Sequence, residues 1–265
     1  MKGLFITGTD TDIGKTALSA LLLAELRKRG INAAPMKPMQ TGCKRKPETG
    51  NLKLEKEQAD ELQVSGFKFQ VSPLSVPDLD YSLSMAQMEV SPETYQTMAP
   101  YQFEPACSPH LAAEMAGTEI DISEMVIAAR TLASEYEFVI AEGAGGIIVP
   151  LNRRETMLDL MQALKLPIII AARPGLGTIN HTLLTIRTLR SDGLDILGVV
   201  FVASTPDEPG IIEDDNAATI EQFGKVPFLG TIPYCAQLQT AKLDYSALPL
   251  PLVASVEKIV NQLGI

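Results

Sequence analysis

Apolar and polar positions alternate in two distinct rhythms along this chain. Gly3 to Thr7 (GLFIT) is a short apolar, β-branched run, which predicts a buried strand. Residues 17–30 (ALSALLLAELRKRG) repeat their apolar positions at three- and four-residue intervals, which predicts a helix closed by Gly30. Ile31 to Met36 predicts a second strand, and Pro38 forces the chain out of it. Residues 43–58 are the most polar stretch and read as an exposed loop, and residues 59–66 read as one short helix ending at a glycine. Periodicity is poor over an irregular insertion at about 67–108, within which residues 78–90 and 91–98 predict two short helices. Ser108, Pro109 and Gly117 mark the cap, first turn and stop of another helix.

The second half is more regular. Ile122–Tyr136 predicts a helix, and Glu137–Ala141 a buried strand that breaks at Glu142 into GAGG, with IIVPL as the next strand. Then follow a helix at Thr156–Lys165, a strand at Pro167–Ala172, and a helix at Ile179–Ser191 with Thr178 as its cap and Gly193 as its exit. The last elements are strands at Leu194–Val202 and Val226–Ile232, with helices at Gly210–Phe223 and Leu252–Leu263. Strands apolar throughout and alternating with helices imply a parallel sheet covered on both faces. The expected class is α/β, a parallel sheet with helices on both faces, in a single domain over residues 1–265. Ligands in such sheets sit at the carboxyl ends of the strands.

Composition narrows the function classes. The chain has 265 residues, 46% hydrophobic and 20% charged, enough for a sizeable core. A formal charge of −10 argues against nucleic acid or an anionic membrane as partner, since both demand a basic surface. The cysteines, Cys43, Cys107 and Cys235, are far apart and form no CxxC, so neither a disulfide framework nor a zinc site is expected. No basic start followed by a long apolar segment suggests a signal peptide, so the expected location is the cytoplasm.

Candidate chemistry gathers at the strand ends. GTDTDIGKT, between the first strand and first helix, spaces Gly8 and Gly14 by five residues where the usual phosphate loop has four. Such a loop turns backbone amides toward an anion, with the helix N-terminus behind them. Asp12, Ile13, Gly14, Lys15, Thr16 and Ala17 are therefore the nucleotide-phosphate candidates, and the sheet is expected to be of the P-loop NTPase type. Lys15 is placed to reach the outer phosphates and Thr16 to hold Mg²⁺. Lys37, in KPMQTG at the end of the second strand, reads either as a solvated rim lysine or as a second ammonium beside Lys15. Glu142 ends an apolar strand, where a carboxylate needs a partner, and Mg²⁺ is the natural one beside a phosphate loop. Gly143, Ala144 and Gly145 let the backbone after it approach the phosphates or substrate. Asp60 is one acid among Glu55, Glu57 and Glu61 and has no special standing by itself. The turn Arg173–Asn180 is, taken alone, an ordinary loop with a helix start, and His110 and His181 read as packing or capping residues.

Taken together, GTDTDIGKT, KPMQTG, ACSPHLAAE, EGAGGIIVPLN, GLGTINHTLLT and LGTIPY resemble the dethiobiotin synthetase family, in the family's order and over nearly the whole chain. The resemblance implies a homodimer that uses MgATP and CO₂ to carboxylate 7,8-diaminononanoate and close a cyclic urea through a carbamic-phosphoric anhydride. It implies Thr16, Asp60 and Glu142 as Mg²⁺ ligands, with Lys37 and Lys15 acting on the carbamate and the phosphoryl group. Thr11 and Thr41 would meet the diamine. The amides of Gly177, Thr178, Ile179 and Asn180, from the other subunit, would hold the substrate carboxylate. Where the family carries an adenine-reading asparagine, this chain has Val202, which leaves adenine to the backbone near Pro233 and Tyr234 and implies weak discrimination among nucleotides. Two other readings remain: a different amide-forming P-loop synthetase, and a regulatory ATPase of the partitioning type.

Overall fold

The computed structural model describes residues 1–45, 61–64, 67–70, 74–207, 210–240 and 243–265. Its first half contains β1 (Gly3–Gly8), α1 (Lys15–Lys28), β2 (Ala33–Met36), β3 (Met39–Gln40), β4 (Lys44–Arg45), β5 (Glu61–Val64), β6 (Phe67–Gln70) and β7 (Leu74–Ser75). Then come α2 (Pro77–Met85), α3 (Pro92–Met98), β8 (Tyr101–Gln102), α4 (Pro109–Met115) and α5 (Ile122–Glu135). The second half contributes β9 (Phe138–Gly146), α6 (Met157–Leu164), β10 (Ile168–Ala172), α7 (Thr178–Ser191), β11 (Ile196–Val202), α8 (Ile211–Gly224), β12 (Phe228–Ile232) and α9 (Leu250–Leu263).

Six strands form one parallel sheet in the order β12-β11-β10-β1-β9-β2. Side chains alternate across it, so each strand feeds two cores. Phe5, Val139, Ile168 and Ile170 point to one face, where they meet Met125 and Leu132 of α5, Leu160 of α6, and Ile186 and Leu189 of α7. Leu4, Ile6, Ile140 and Ile169 point to the other, against Leu18 to Leu26 of α1 and Val256 and Ile259 of α9. Both faces are apolar, which is why the strands read as continuous hydrophobic runs rather than alternating ones. β1 lies between β10 and β9, so the loop that follows it emerges at the middle of the sheet. β2 is an edge strand, which is where Pro35 costs least.

Four expectations change. Residues 61–64 are not helical; they form β5, which pairs antiparallel with β6, while 59–60 and 65–66 lie outside the described residues. β-branched and aromatic residues at Val64, Phe67 and Phe69 favour the hairpin over a single short helix. GAGG is not a break, since β9 runs through it to Gly146, which pairs with Gly8 at the start of the phosphate loop. IIVPL is a turn rather than a strand: Val149 N–H closes onto Gly146 O at 3.2 Å, and only Pro150 makes an isolated bridge, to Thr156. β9 has already filled both its sides, with β1 and β2, so IIVPL cannot fold back to pair with the strand it follows. Finally, Gly177 (φ 90°) is the N-cap of α7 and Thr178 is its first residue, with no side-chain capping bond. The inserted region, by contrast, packs into the main core through Leu79, Met98, Tyr101 and Phe103.

Candidate active site

The site lies where β1, β2 and β9 end side by side. Gly14 takes φ 88°, a value that favours glycine, and a Cβ there would sit 2.4 Å from Val202 Cγ1. The loop therefore needs glycine for conformation and for contact with β11. Behind it, α1 begins at Lys15, and Lys15 Nζ curls back to donate to Asp10 O at 2.7 Å. Burial, and next the nearby Lys37 charge, lower the Lys15 pKa to about 8. At neutral pH it is still about nine-tenths protonated.

Lys37 is 4% exposed and is no rim residue. Its backbone is tied by its amide to Met98 O (2.8 Å), and its ammonium reaches Glu142 Oε1 (2.8 Å), Asp78 Oδ2 (2.7 Å) and Gly143 O (3.2 Å). Burial disfavours the charged form of this lysine; the two carboxylates outweigh that and raise its pKa. Glu142, also 4% exposed, accepts from Thr16 Oγ1 at 2.8 Å on the same oxygen. Burial pushes its carboxyl upward against the pull of Lys37. Asp78 stays well ionised because Lys37 and then the Gln40 amide offset its burial.

Two lysines, two carboxylates and a threonine hydroxyl thus converge on a cavity of about 710 Å³. Of the expected residues, Thr11 to Ala17, Lys37, Thr41, Glu142, Ala144, Gly145 and Tyr234 line it. Gly143 reaches it through the carbonyl that holds Lys37, and Pro233 precedes Tyr234 at the end of β12. Val202, buried against Gly14, forms part of its wall. Gly177 to Asn180 do not line this cavity. They follow β10 at the start of α7, with Thr178 buried and Asn180 exposed. Asp60 lies outside the described residues.

Asp78 is the site residue that sequence reasoning missed. Its only signal was its position just after Pro77 at a helix start, inside a stretch of poor periodicity. Two carboxylates with a neighbouring hydroxyl are an all-oxygen donor set, suited to a hard cation such as Mg²⁺ rather than to zinc. Among the described residues no cluster of three or more His, Cys, Asp or Glu forms an alternative metal centre.

Comparison with known proteins shows the family to which the chain belongs. A family model described as an AAA domain matches residues 2–242. The ATP-dependent dethiobiotin synthetase BioD of Lysinibacillus sphaericus (strain C3-41) is 36% identical over 230 residues, 86% of each chain. The protein of the same name from Anaeromyxobacter dehalogenans (strain 2CP-C) is 37% identical over 236 residues, 88% of this chain and 91% of its own. The chain belongs to the ATP-dependent dethiobiotin synthetase family. Family membership accords with the motifs from GTDTDIGKT to LGTIPY. Solved structures share the fold: a ParA family ATPase from Chlorobium tepidum TLS (TM-score 0.57, 13% identity, all of both chains) and the MinD cell division protein of Aquifex aeolicus (TM-score 0.58, 13% identity, all of this chain and 97% of that one). Their likeness is one of architecture alone, whereas the relationship in sequence is with the synthetases.

Proposed function

We propose that this chain carboxylates 7,8-diaminononanoate with CO₂ and closes it to dethiobiotin at the expense of ATP. The observation that carries the reading is the Lys37 ammonium, held charged and buried between Glu142 and Asp78 beside the Lys15–Thr16 phosphate loop. An amine that takes up CO₂ becomes a carbamate anion, and that anion must approach the γ-phosphate, itself an anion. Lys37 and Lys15 supply the positive charge that lets the two meet, and the loop amides fix the phosphate in line. The carbamate oxygen attacks phosphorus, ADP leaves, and the second amine attacks the carbonyl of the mixed anhydride to release phosphate.

The residues that would hold Mg²⁺ are Thr16, Glu142 and Asp78, with Asp78 in the role first assigned to Asp60. When bound, that ion neutralises the β- and γ-phosphate oxygens. Thr11 and Thr41 face the cavity near Lys37 and are the candidates to orient the diamine. Tyr234 and the backbone around Pro233 are left to bound the base.

The same reading makes the protein a cytoplasmic homodimer, in which the turn Gly177–Asn180 of a second subunit binds the substrate carboxylate. In support, that turn lies outside the chain's own cavity, and it is flanked by Leu176 (92% exposed) and Leu184 (55% exposed), apolar surface suited to a subunit contact. Among the described residues no helix is long and apolar enough to cross a membrane. Incubation with the diamine, labelled bicarbonate and MgATP tests the proposal. Labelled cyclic urea with stoichiometric ADP is expected; ATP hydrolysis with no cyclised product refutes it.

A further inference from the structure

Helix α2 begins without a cap of its own. Its N-cap residue is Val76, which offers no side-chain acceptor, and Pro77 follows with no N–H to satisfy. The next amide is that of Asp78, and its acceptor comes from far along the chain: Gln40 Oε1, at 3.2 Å. Gln40 is well placed for this, because its side chain is buried and its backbone is fixed. Its carbonyl accepts from Phe103 N–H (2.9 Å) and from the Cys43 thiol (3.5 Å), and it pairs in register with Gln102 across β3 and β8. The Gln40 side chain also favours the ionised form of Asp78. One side chain therefore fixes Asp78 through its backbone amide, at the turn from which its carboxylate reaches Lys37.

We propose that Gln40 is a positioning residue: it caps α2 from outside the helix and holds the Asp78 carboxylate on Lys37, at the edge of the magnesium-nucleotide site. The inference rests on the proposed role of Asp78 as a cation ligand. Asp78 is carried on a helix whose own start leaves its amide uncapped, so its aim depends on the amide that fixes that start. Gln40 lines the same cavity but, among the described residues, makes no hydrogen bond to Thr16 or the phosphate loop, so its removal is expected to leave the phosphate cradle intact. The expected defect is confined to the coupling between metal and nucleotide.

That coupling can be read without turnover, as the ratio of ADP dissociation constants measured by calorimetry with Mg²⁺ and with a chelator. Gln40→Met keeps the volume and removes the acceptor for the Asp78 amide. It is expected to bind ADP like wild type in chelator but to lose about tenfold of the tightening that Mg²⁺ gives, in line with the usual cost of removing a residue that orients a metal ligand. Gln40→Asn keeps a buried amide but withdraws it by one methylene, and is expected to show the same loss; it serves if the methionine variant does not fold. Asp78→Asn separates the two layers of the argument. If that variant keeps the full Mg²⁺ effect, the reading of Asp78 as a ligand fails. If Asp78→Asn loses the effect while both Gln40 variants keep it, the positioning role of Gln40 is overturned. In turnover, the half-saturating Mg²⁺ concentration should rise with kcat nearly preserved at saturation, a split that simple loss of stability does not produce.

Discussion

Lys37→Gln removes the charge at the centre of the site, and the structure sets the size of the result. Lys37 and Glu142 are each 4% exposed, so their pair is buried by any measure. The Asp78 side chain is 29% exposed, and its share is correspondingly screened. Deleting one partner of a buried ion pair costs about 3–5 kcal/mol, because an uncompensated charge stays behind. The partial exposure of Asp78 argues for the lower end, about 3 kcal/mol, which for a chain of this size lowers the melting temperature by about 6–12 °C. Glu142 and Asp78 are then left facing one another with no cation between them. One carboxyl pKa rises further, so the folded variant binds more protons than its unfolded chain near neutrality. Its stability deficit is therefore expected to shrink as pH falls and to be largest on the alkaline side. Added Mg²⁺ is expected to stabilise the variant more than wild type, since the two carboxylates are its proposed ligands. Thermal melts in metal-free buffer at two pH values, repeated with Mg²⁺, measure all of this. Cyclised product should be abolished while ADP binding survives. A variant melting within about 1 °C of wild type in metal-free buffer would mean that the ion pair carries none of the burial cost assigned to it.

Other expectations follow from single contacts. Lys15 has a pKa near 8 in the free protein, and an anion beside it raises that value. ADP affinity should therefore hold below about pH 7 and weaken toward tenfold per unit between about pH 8 and 9; a flat profile would contradict the assignment. Gly3→Ala puts a Cβ 2.2 Å from Val139 O in the β1–β9 ladder, and should cost about 1–3 kcal/mol in a urea titration. Val202 is packed against Gly14 and offers no polar group to a base. CTP and GTP should accordingly support turnover within about tenfold of ATP in kcat/KM, and a strong preference for ATP would count against this.

Much of this was written in local pattern. The sheet strands announced themselves because both their faces are apolar, and GTDTDIGKT because phosphate loops need glycine and lysine at set distances. Lys37 and Glu142 could be suspected from their places at strand ends, but the 2.8 Å contact between them joins residues 105 positions apart and follows only from β2 pairing with β9. Asp78 stayed hidden for the same reason. Nothing near it in sequence says that α2 points its first turn at Lys37; Asp60 was assigned through the family resemblance alone and lies outside the described residues. IIVPL shows the opposite failure: its β-propensity is real, yet a strand needs a free neighbour, and β9, the strand it follows, is already paired on both sides.

The strand order has a bearing on how the chain is made. β1 leaves the ribosome well before its partners β9 and β10, which begin roughly 135 and 165 residues later. At ordinary translation rates of about 5–20 residues per second, the run Gly3–Gly8 waits on the order of ten to thirty seconds for them. During that interval the nascent chain carries an unpaired apolar strand and a glycine loop that cannot yet hold a nucleotide. Synthesis should therefore be the most aggregation-prone stage of this protein's life, and ATP can offer it no protection until the strand bearing Glu142 has emerged.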